Sequence, residues 1–385
     1  MKRISICSLL GALWLAATLG YGQERLRLIN ATLLSGWTEN GENVRALSGD
    51  VFFRQDSAEI HCDRALQYVE RAQVELTGKV LLLDPPRRLT AGRVWYDEAT
   101  RDYRAYLEPQ LQDTSRTLTA DTLHYCERWD QATAVGRVAI EEKHHRVRLQ
   151  GERAEYRRAK GYARVLGRPV LTEMDSLGAL LMTVTADTME MFDDGQRYQL
   201  AGQVHIRRDS IDAYCGRLTY VRAAQKLQLT DHPWAERAQD VMRGQEMEIL
   251  LQKERVVGLH LLKQTAVLSR VDSTQSRSEE YDLLTGERME IAFQNDEISQ
   301  VAVRGQATSY YHVYEDTVAK GMNKALGDEI HLYFKEGALE RVKVISSPGS
   351  SSGIFYPPKQ AAALRSELEE RLKQVHALRV MTNEK

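Results

Sequence analysis

LTADTLHY, residues 118–125, reads as a short β-strand introduced by a small residue and a carboxylate. The signature recurs along the chain: a small residue, then a polar residue or Gly, then mostly apolar residues at +2 and +4. It falls at Cys62-Asp63, Ala91-Gly92, Ala120-Asp121, Gly151-Glu152, Ala186-Asp187, Cys215-Gly216, Gly244-Gln245, Gly286-Glu287 and Gly327-Asp328. Successive second members lie 29, 29, 31, 35, 29, 29, 42 and 41 residues apart. A near-constant interval of this size marks a stacked repeat. The +2 and +4 residues include Val94 and Tyr96, Leu123 and Tyr125, Met189 and Met191, Leu218 and Tyr220, and Met247 and Ile249. Apolar residues two apart place one apolar face on a strand.

A second kind of strand lies between these. Its marker is usually Gly with apolar residues at +2 and +4: Gly49 with Val51 and Phe53, Gly78 with Val80 and Leu82, Gly136 with Val138 and Ile140, Gly202 with Val204 and Ile206. Each coil is thus expected to hold two strands and two bends, about nine coils in all, with a blurred register beyond residue 250. At about 4.8 Å per coil the stack would be on the order of 40 Å long. The inward apolar positions would line either a closed core or a trough.

The division expected along the chain is a signal peptide at 1–22, a β-stack at 23–345, a Ser/Gly/Pro linker at 346–358 and an amphipathic helical tail at 359–385. Lys2 and Arg3 precede an apolar run, and Gly20 and Gly22 stand before Gln23, the pattern of an exported protein. Hydrophobic residues make up 43% of the chain, too many for disorder. The net charge of −2 argues against a nucleic-acid groove. Cys62, Cys126 and Cys215 follow the leader, an odd number that leaves at least one thiol unpaired. At one coil per 4.8 Å they lie too far apart to bridge.

Little in the sequence points to catalysis. Adjacent residues on a strand face opposite ways, so His144-His145 cannot share a metal, and no metal or cofactor is expected. Asp63, Asp121, Asp187 and Asp328 share a repeat position with Gly92, Gly216 and Gln245, as bend residues do. The densest cationic run extends from Lys143 to Arg168. Within it Arg146, Arg148, Arg153 and Arg157 are candidate contacts for ligand phosphates.

LTADTLHY, VTADTMEM (184–191), LQGERAEY (149–156) and LSGDVFF (47–53) resemble strands of the OstA-like family. That family includes the lipopolysaccharide-transport proteins LptA and LptC and the periplasmic domain of LptD. The resemblance implies an all-β, elongated, open β-jelly roll, V-shaped in section and followed here by the helix. It also implies a non-enzymatic periplasmic carrier of lipopolysaccharide or a similar amphipathic lipid, working in outer-membrane assembly. Related β-stacks (LptC-like, LptD-like) or further copies of the chain would pair with its edge strands, the N-terminal edge docking and the C-terminal edge shielded by the helix. The lipid-facing residues would be Val51, Phe53, Val80, Leu82, Val94, Tyr96, Leu123, Tyr125, Val138, Ile140, Met189, Met191, Val204, Ile206, Leu218, Tyr220, Met247 and Ile249. A polysaccharide-binding or polysaccharide-cleaving β-helix and a structural envelope scaffold are the rival readings.

Overall fold

The computed structural model describes residues 26–383 except 115, 143–145, 176, 209–210, 253–254, 272–279, 296, 316–317 and 337. The expected leader and the His144-His145 pair lie outside the described residues. What is described is all-β with one C-terminal helix, its strands joined in a single antiparallel sheet.

The sheet is a meander of bent rungs. Twelve are single long strands: Glu42–Gln55, Ala58–Tyr68, Gln73–Asp84, Arg87–Asp97, Gln131–Glu142, Val147–Arg157, Arg197–Arg208, Ile211–Val221, Arg255–Arg270, Tyr281–Gln294, Glu297–Glu315 and Val318–Lys335. Eight are broken in two at the bend: Arg27–Asn30 with Leu33–Glu39, Tyr103–Tyr106 with Gln110–Gln112, Arg116–Thr119 with Thr122–Cys126, Tyr162–Leu166 with Val170–Met174, Leu180–Thr185 with Thr188–Phe192, Lys226–Thr230 with Trp234–Arg237, Asp240–Arg243 with Glu246–Gln252, and Ala338–Ile345 with Ser352–Tyr356. Each rung pairs antiparallel with the one before and the one after it. All bend at the same level, so the meander folds lengthwise into two facing arms. Arm one holds residues such as Phe53 and Ile60, and arm two holds residues such as Leu47 and Leu76.

This arrangement corrects the expected coil. The marker residues lie in the middle of rungs, at the crease, and not at strand starts; Asp63 sits inside Ala58–Tyr68. One 29-residue period is therefore a hairpin of two rungs, which advances the stack by about 9.6 Å and not 4.8 Å. Twenty rungs give a length on the order of 90 Å. Cys62 and Cys126 are four rungs apart. All three described cysteines are free, and burial pushes the Cys62 and Cys215 thiols up to about 12.

The crease has a specific chemistry. Gly78 and Lys79 both take left-handed backbone angles (φ 75° and 45°), as do Gly202 and Gln203 (φ 78° and 44°). The pairing register skips at these points, between Thr77 and Val80 and between Ala201 and Val204. Two left-handed residues in sequence reverse the pleat and turn the strand into the other arm. The acid of the preceding rung fills the space a glycine leaves: a Cβ on Gly78 would lie 2.5 Å from Asp63 Oδ2. Asp187 stands in the same relation to Gly202. Asp63 and Asp187 are thus packing residues of the bend.

Among the described residues, both ends of the sheet are edges without a further paired strand, and both expose apolar side chains. The first rung shows Leu28, Ile29, Leu33, Leu34 and Trp37, and the last shows Val342, Val344, Ile345, Ile354 and Phe355. The stretch expected to be a linker contains the strand Ser352–Tyr356, which pairs with Val318–Lys335. Contrary to the expectation that it shields the C-terminal edge, the helix Ala361–Asn383 leaves Val342, Val344, Ile345, Ile354 and Phe355 exposed. Its Ala361, Leu364 and Leu368 pack on Ala266, Leu268, Leu283, Tyr310 and Met322. Leu268, Leu283 and Tyr310 are cross-strand neighbours, and they alternate with Val267 and Leu284, which join the core between the arms. The helix therefore lies on the back of arm one. It is pinned there by Glu367, which accepts from Tyr310 Oη at 2.6 Å and from Lys324 Nζ at 2.8 Å. The Lys324 contact, with Tyr310, holds the Glu367 carboxyl below its usual range.

Placing a side chain at Gly202 should strain φ and strike Asp187. Gly202→Ala is expected to cost about 2 kcal/mol or more, read as a lower thermal midpoint by circular dichroism. Adding Asp187→Ala should recover part of the loss by removing the collision and leaving the φ strain.

Candidate functional site

The candidate site is the cleft between the arms, and it follows from register. In arm two one line of cross-strand neighbours runs the length of the sheet: Leu47, Ala65, Leu76, Val94, Ala105, Leu123, Ala134, Ala154, Val165, Met189, Leu200, Leu218, Leu229, Met247, Leu261, Met289, Val303, Ile330. Every one of these is buried. The facing line in arm one runs from Phe53 through Ile60, Leu82, Leu89, Leu111, Leu118, Ile140, Leu149 and Leu171 to Val184, Ile206, Ala213, Ala235 and Met242. Alternation keeps both lines apolar while most outward residues are polar, the seat of the helix on arm one excepted.

Burial divides the cleft into three. Near the N-terminus, Phe53, Ile60, Leu82 and Leu89 pack against Leu47, Leu76, Val94 and Tyr96 as one closed core. Toward the C-terminus a second core joins Val184, Ile206 and Ala213 to Met189, Leu218, Leu229, Met247 and others. Between the two, the inward residues Leu111, Leu118, Ile140, Leu149 and Leu171 are only half-buried, as are Tyr156, Ala163, Met191, Tyr198 and Tyr220 opposite. These residues line a cavity of about 280 Å³, except Tyr220, which stands beyond it. Small inward side chains on neighbouring rungs line it: Ala132, Ala154 and Ala163 stand where many equivalent positions in the same lines carry Leu, Met or Tyr.

Polar contacts between the arm tips close the cleft in front of this window. Tyr96 Oη donates to Gln55 Oε1 at 2.6 Å, and Gln55 Nε2 donates to the Glu98 carbonyl at 3.2 Å. Arg101 pairs with Asp56 across the tips. Arg87 reaches from arm one to the Tyr125 hydroxyl and lies 3.7 Å from Asp130 Oδ1, the group to which Tyr125 Oη donates at 2.9 Å. Burial raises the phenol pKa of Tyr96, Tyr103 and Tyr125, which keeps them protonated as donors. Behind the window the Arg237 guanidinium sits 5.1 Å from the Phe293 ring centre and joins the tips again. At the mouth itself stand Asp113, Arg116, Glu142 and Arg158. Arg116 and Arg158 have no ion-pair partner among the described residues.

All eighteen apolar residues singled out from the sequence lie on the two inner faces. Fifteen are buried, and Ile140, Met191 and Tyr220 are the half-buried ones of the window region. The four candidate arginines do not converge. Arg146 is in an exposed turn of arm one, and Arg148 is on its back, 3.7 Å from Glu141. Arg153 lies on the back of arm two, 2.9 Å from Glu155, and Arg157 packs 5.9 Å from the Tyr162 ring centre. Asp121 pairs with Arg137, and Asp328 Oδ2 accepts from the Ser347 amide, so the repeat-position acids are spent on the crease. Periodicity does not single out Leu111, Leu118, Leu149, Leu171, Arg87 or Arg116, and Arg158 is legible only as one charge of the cationic run from Lys143 to Arg168. The signal that marks this region is the cluster of inward alanines.

In lipid-free protein carrying Cys126→Ser, a thiol placed by Leu149→Cys should react readily with a maleimide. One placed by Leu229→Cys, in the closed core, should react roughly a hundredfold more slowly, because local opening costing about 3 kcal/mol must come first. Equal rates would show that the cleft has no distinct window.

The family model described as OstA-like protein matches residues 23–166. No curated protein matches the chain. Among solved structures the chain is similar to LptH from Pseudomonas aeruginosa, described as the LptA homologous periplasmic component of the conserved lipopolysaccharide transport device. The identity is 15%, the match covers 37% of this chain and 95% of that one, and the TM-score is 0.26. The match to the OstA-like family model falls on the part of the chain that holds the closed N-terminal core and the front of the window.

Proposed function

We propose that this protein is a non-enzymatic periplasmic carrier that takes the acyl chains of lipopolysaccharide into the cleft during transport to the outer membrane. The observation that carries the reading is the window. A continuous apolar face lies half-exposed between two closed cores. Each methylene taken from water is favoured by about 0.8 kcal/mol, so an acyl chain laid against Leu111, Leu118, Leu149 and Leu171 satisfies both partners. Met189 and Met191 give that wall adaptable side chains. Arg116 and Arg158 at the mouth sit where the headgroup of an inserted lipid would lie, and a guanidinium binds phosphate oxygens in a bidentate manner. They replace the four arginines of the sequence reading as the leading phosphate contacts. The OstA-like match supports lipopolysaccharide over other lipids.

The unpaired edges supply the partner reading. A strand edge with exposed apolar neighbours accepts another strand by main-chain hydrogen bonds. The first rung offers this through Leu33, Leu34 and Trp37. Pairing there with another OstA-like stack would extend the inner lines from one protein into the next.

A photo-crosslinking residue at Leu149 or Leu171, in protein recovered from its native periplasm, should yield a lipopolysaccharide adduct detected by immunoblot. The same residue at Leu229 or Met247 should not. Absence of adduct from both window positions would overturn the carrier reading. Ala163→Trp, which fills the cavity, should reduce the yield at Leu149 without changing the β-sheet spectrum.

A further inference from the structure

The back of arm two carries a second concavity, of about 420 Å³, that the cleft does not use. It is centred on three consecutive cross-strand neighbours, Trp95, Arg104 and His124. All three point away from the cleft, since they alternate with the inward residues Val94, Tyr96, Ala105, Leu123 and Tyr125. On one side Trp95 is backed by Tyr68, whose ring is nearly parallel at 6.0 Å between centres. On the other side, two rungs on, stands the exposed imidazole of His124. Two rungs are about 9.6 Å apart. A flat ring in van der Waals contact on both faces needs about 7 Å. The rung spacing therefore leaves room for one ring between Trp95 and His124, and Arg104 stands on the rung between them.

The rim is built for hydroxyl groups. Gln73, Thr100 and Tyr106 line it, and the Trp95 indole N–H, the Arg104 guanidinium and the His124 ring have no hydrogen-bond partner among the described residues. Asp97 and Asp102 close the tip side. Each spends Oδ1 on backbone amides, Asp97 on Ala99 and Thr100 and Asp102 on Glu127. One cation among two carboxylates does not suit a phosphate. Donors and acceptors mixed around an aromatic wall suit a polyol ring whose C–H faces rest on aromatic surfaces.

We infer that the Trp95–Arg104–His124 slot binds a pyranose unit of a glycan chain. The slot opens to solvent along the back of arm two, so neighbouring sugar units can leave it without a clash. The inference does not depend on the lipid reading, because an empty cleft would leave the slot unchanged.

The test uses the full chain labelled with 5-fluorotryptophan and followed by fluorine NMR, with the Trp95 signal assigned through Trp95→Phe. Two probes represent the two sources of pyranose: chitotetraose for cell-wall amino sugar, and lipopolysaccharide oligosaccharide freed of its lipid. A saturable shift of the Trp95 signal with either probe is expected at a dissociation constant of about 1 mM or tighter. The Trp234 signal should stay in place. Arg104→Ala and His124→Ala change exposed residues and should abolish the shift while keeping the other tryptophan signals of the folded protein. The inference is overturned if neither probe moves Trp95, or if the shift survives both substitutions.

Discussion

The structure depends on one constraint: every rung of an antiparallel ladder must bend at the same level. Main-chain hydrogen bonds fix each rung to its neighbours, so a bend in one strand has to be matched in the next. The chain meets this with left-handed pairs such as Gly78-Lys79 and Gly202-Gln203, and with an acid on the adjoining rung that packs where the glycine has no side chain. Once the crease is fixed, alternation does the rest. Residues two apart on each half-rung face the other arm, and the repeat interval carries the apolar lines from Leu47 to Ile330 without a break.

The same geometry explains why the middle of the cleft differs from its ends. Facing lines of large side chains meet and exclude water, as Ile60 and Leu76 do near the N-terminus and Ile206 and Leu218 do toward the C-terminus. Where Ala132, Ala154 and Ala163 stand, a cavity remains at the same arm spacing, beside a small buried cluster of Ala120, Ala134, Val138, Ala154 and Val165. Latches at Gln55–Tyr96, Arg87–Tyr125 and Arg237–Phe293 hold the tips together on either side. The cores on both sides stabilise a stretch whose exposed apolar surface would otherwise favour collapse. On the proposed reading, an acyl chain supplies the volume the alanines withhold.

Much of this was legible from residue order. Pairs such as Val51 with Phe53 and Met247 with Ile249 place their faces correctly because period-2 alternation is a direct image of the pleat. The level of the bend was legible as well, but its meaning was misread. Gly followed by a polar residue looks the same at a mid-strand crease as at a strand start, and this halved the apparent length of the stack. The helix was found by the spacing of Leu364, Leu368 and Leu372. Its seat was not, because the apolar back of arm one arises only where the long strands Arg255–Arg270 to Val318–Lys335 carry apolar residues on both faces. Arg87 and Arg116 are not legible, and Arg158 is only one charge of a cationic run, because all three lie in or beside hairpin turns, where no periodicity singles out a residue. Their importance comes from the opposite arm, which is far away in sequence.

The most direct measurement is the distance between the arm tips across the window. Spin labels at Thr114 on arm one and Arg158 on arm two, both at the cavity mouth, can be followed by double electron–electron resonance with and without lipopolysaccharide. A second pair at Glu59 and Gln67 spans the closed N-terminal core. The account predicts that lipid shifts or narrows the distance distribution of the window pair and leaves the second pair unchanged. A lipid-induced change at both pairs, or at neither, would contradict it.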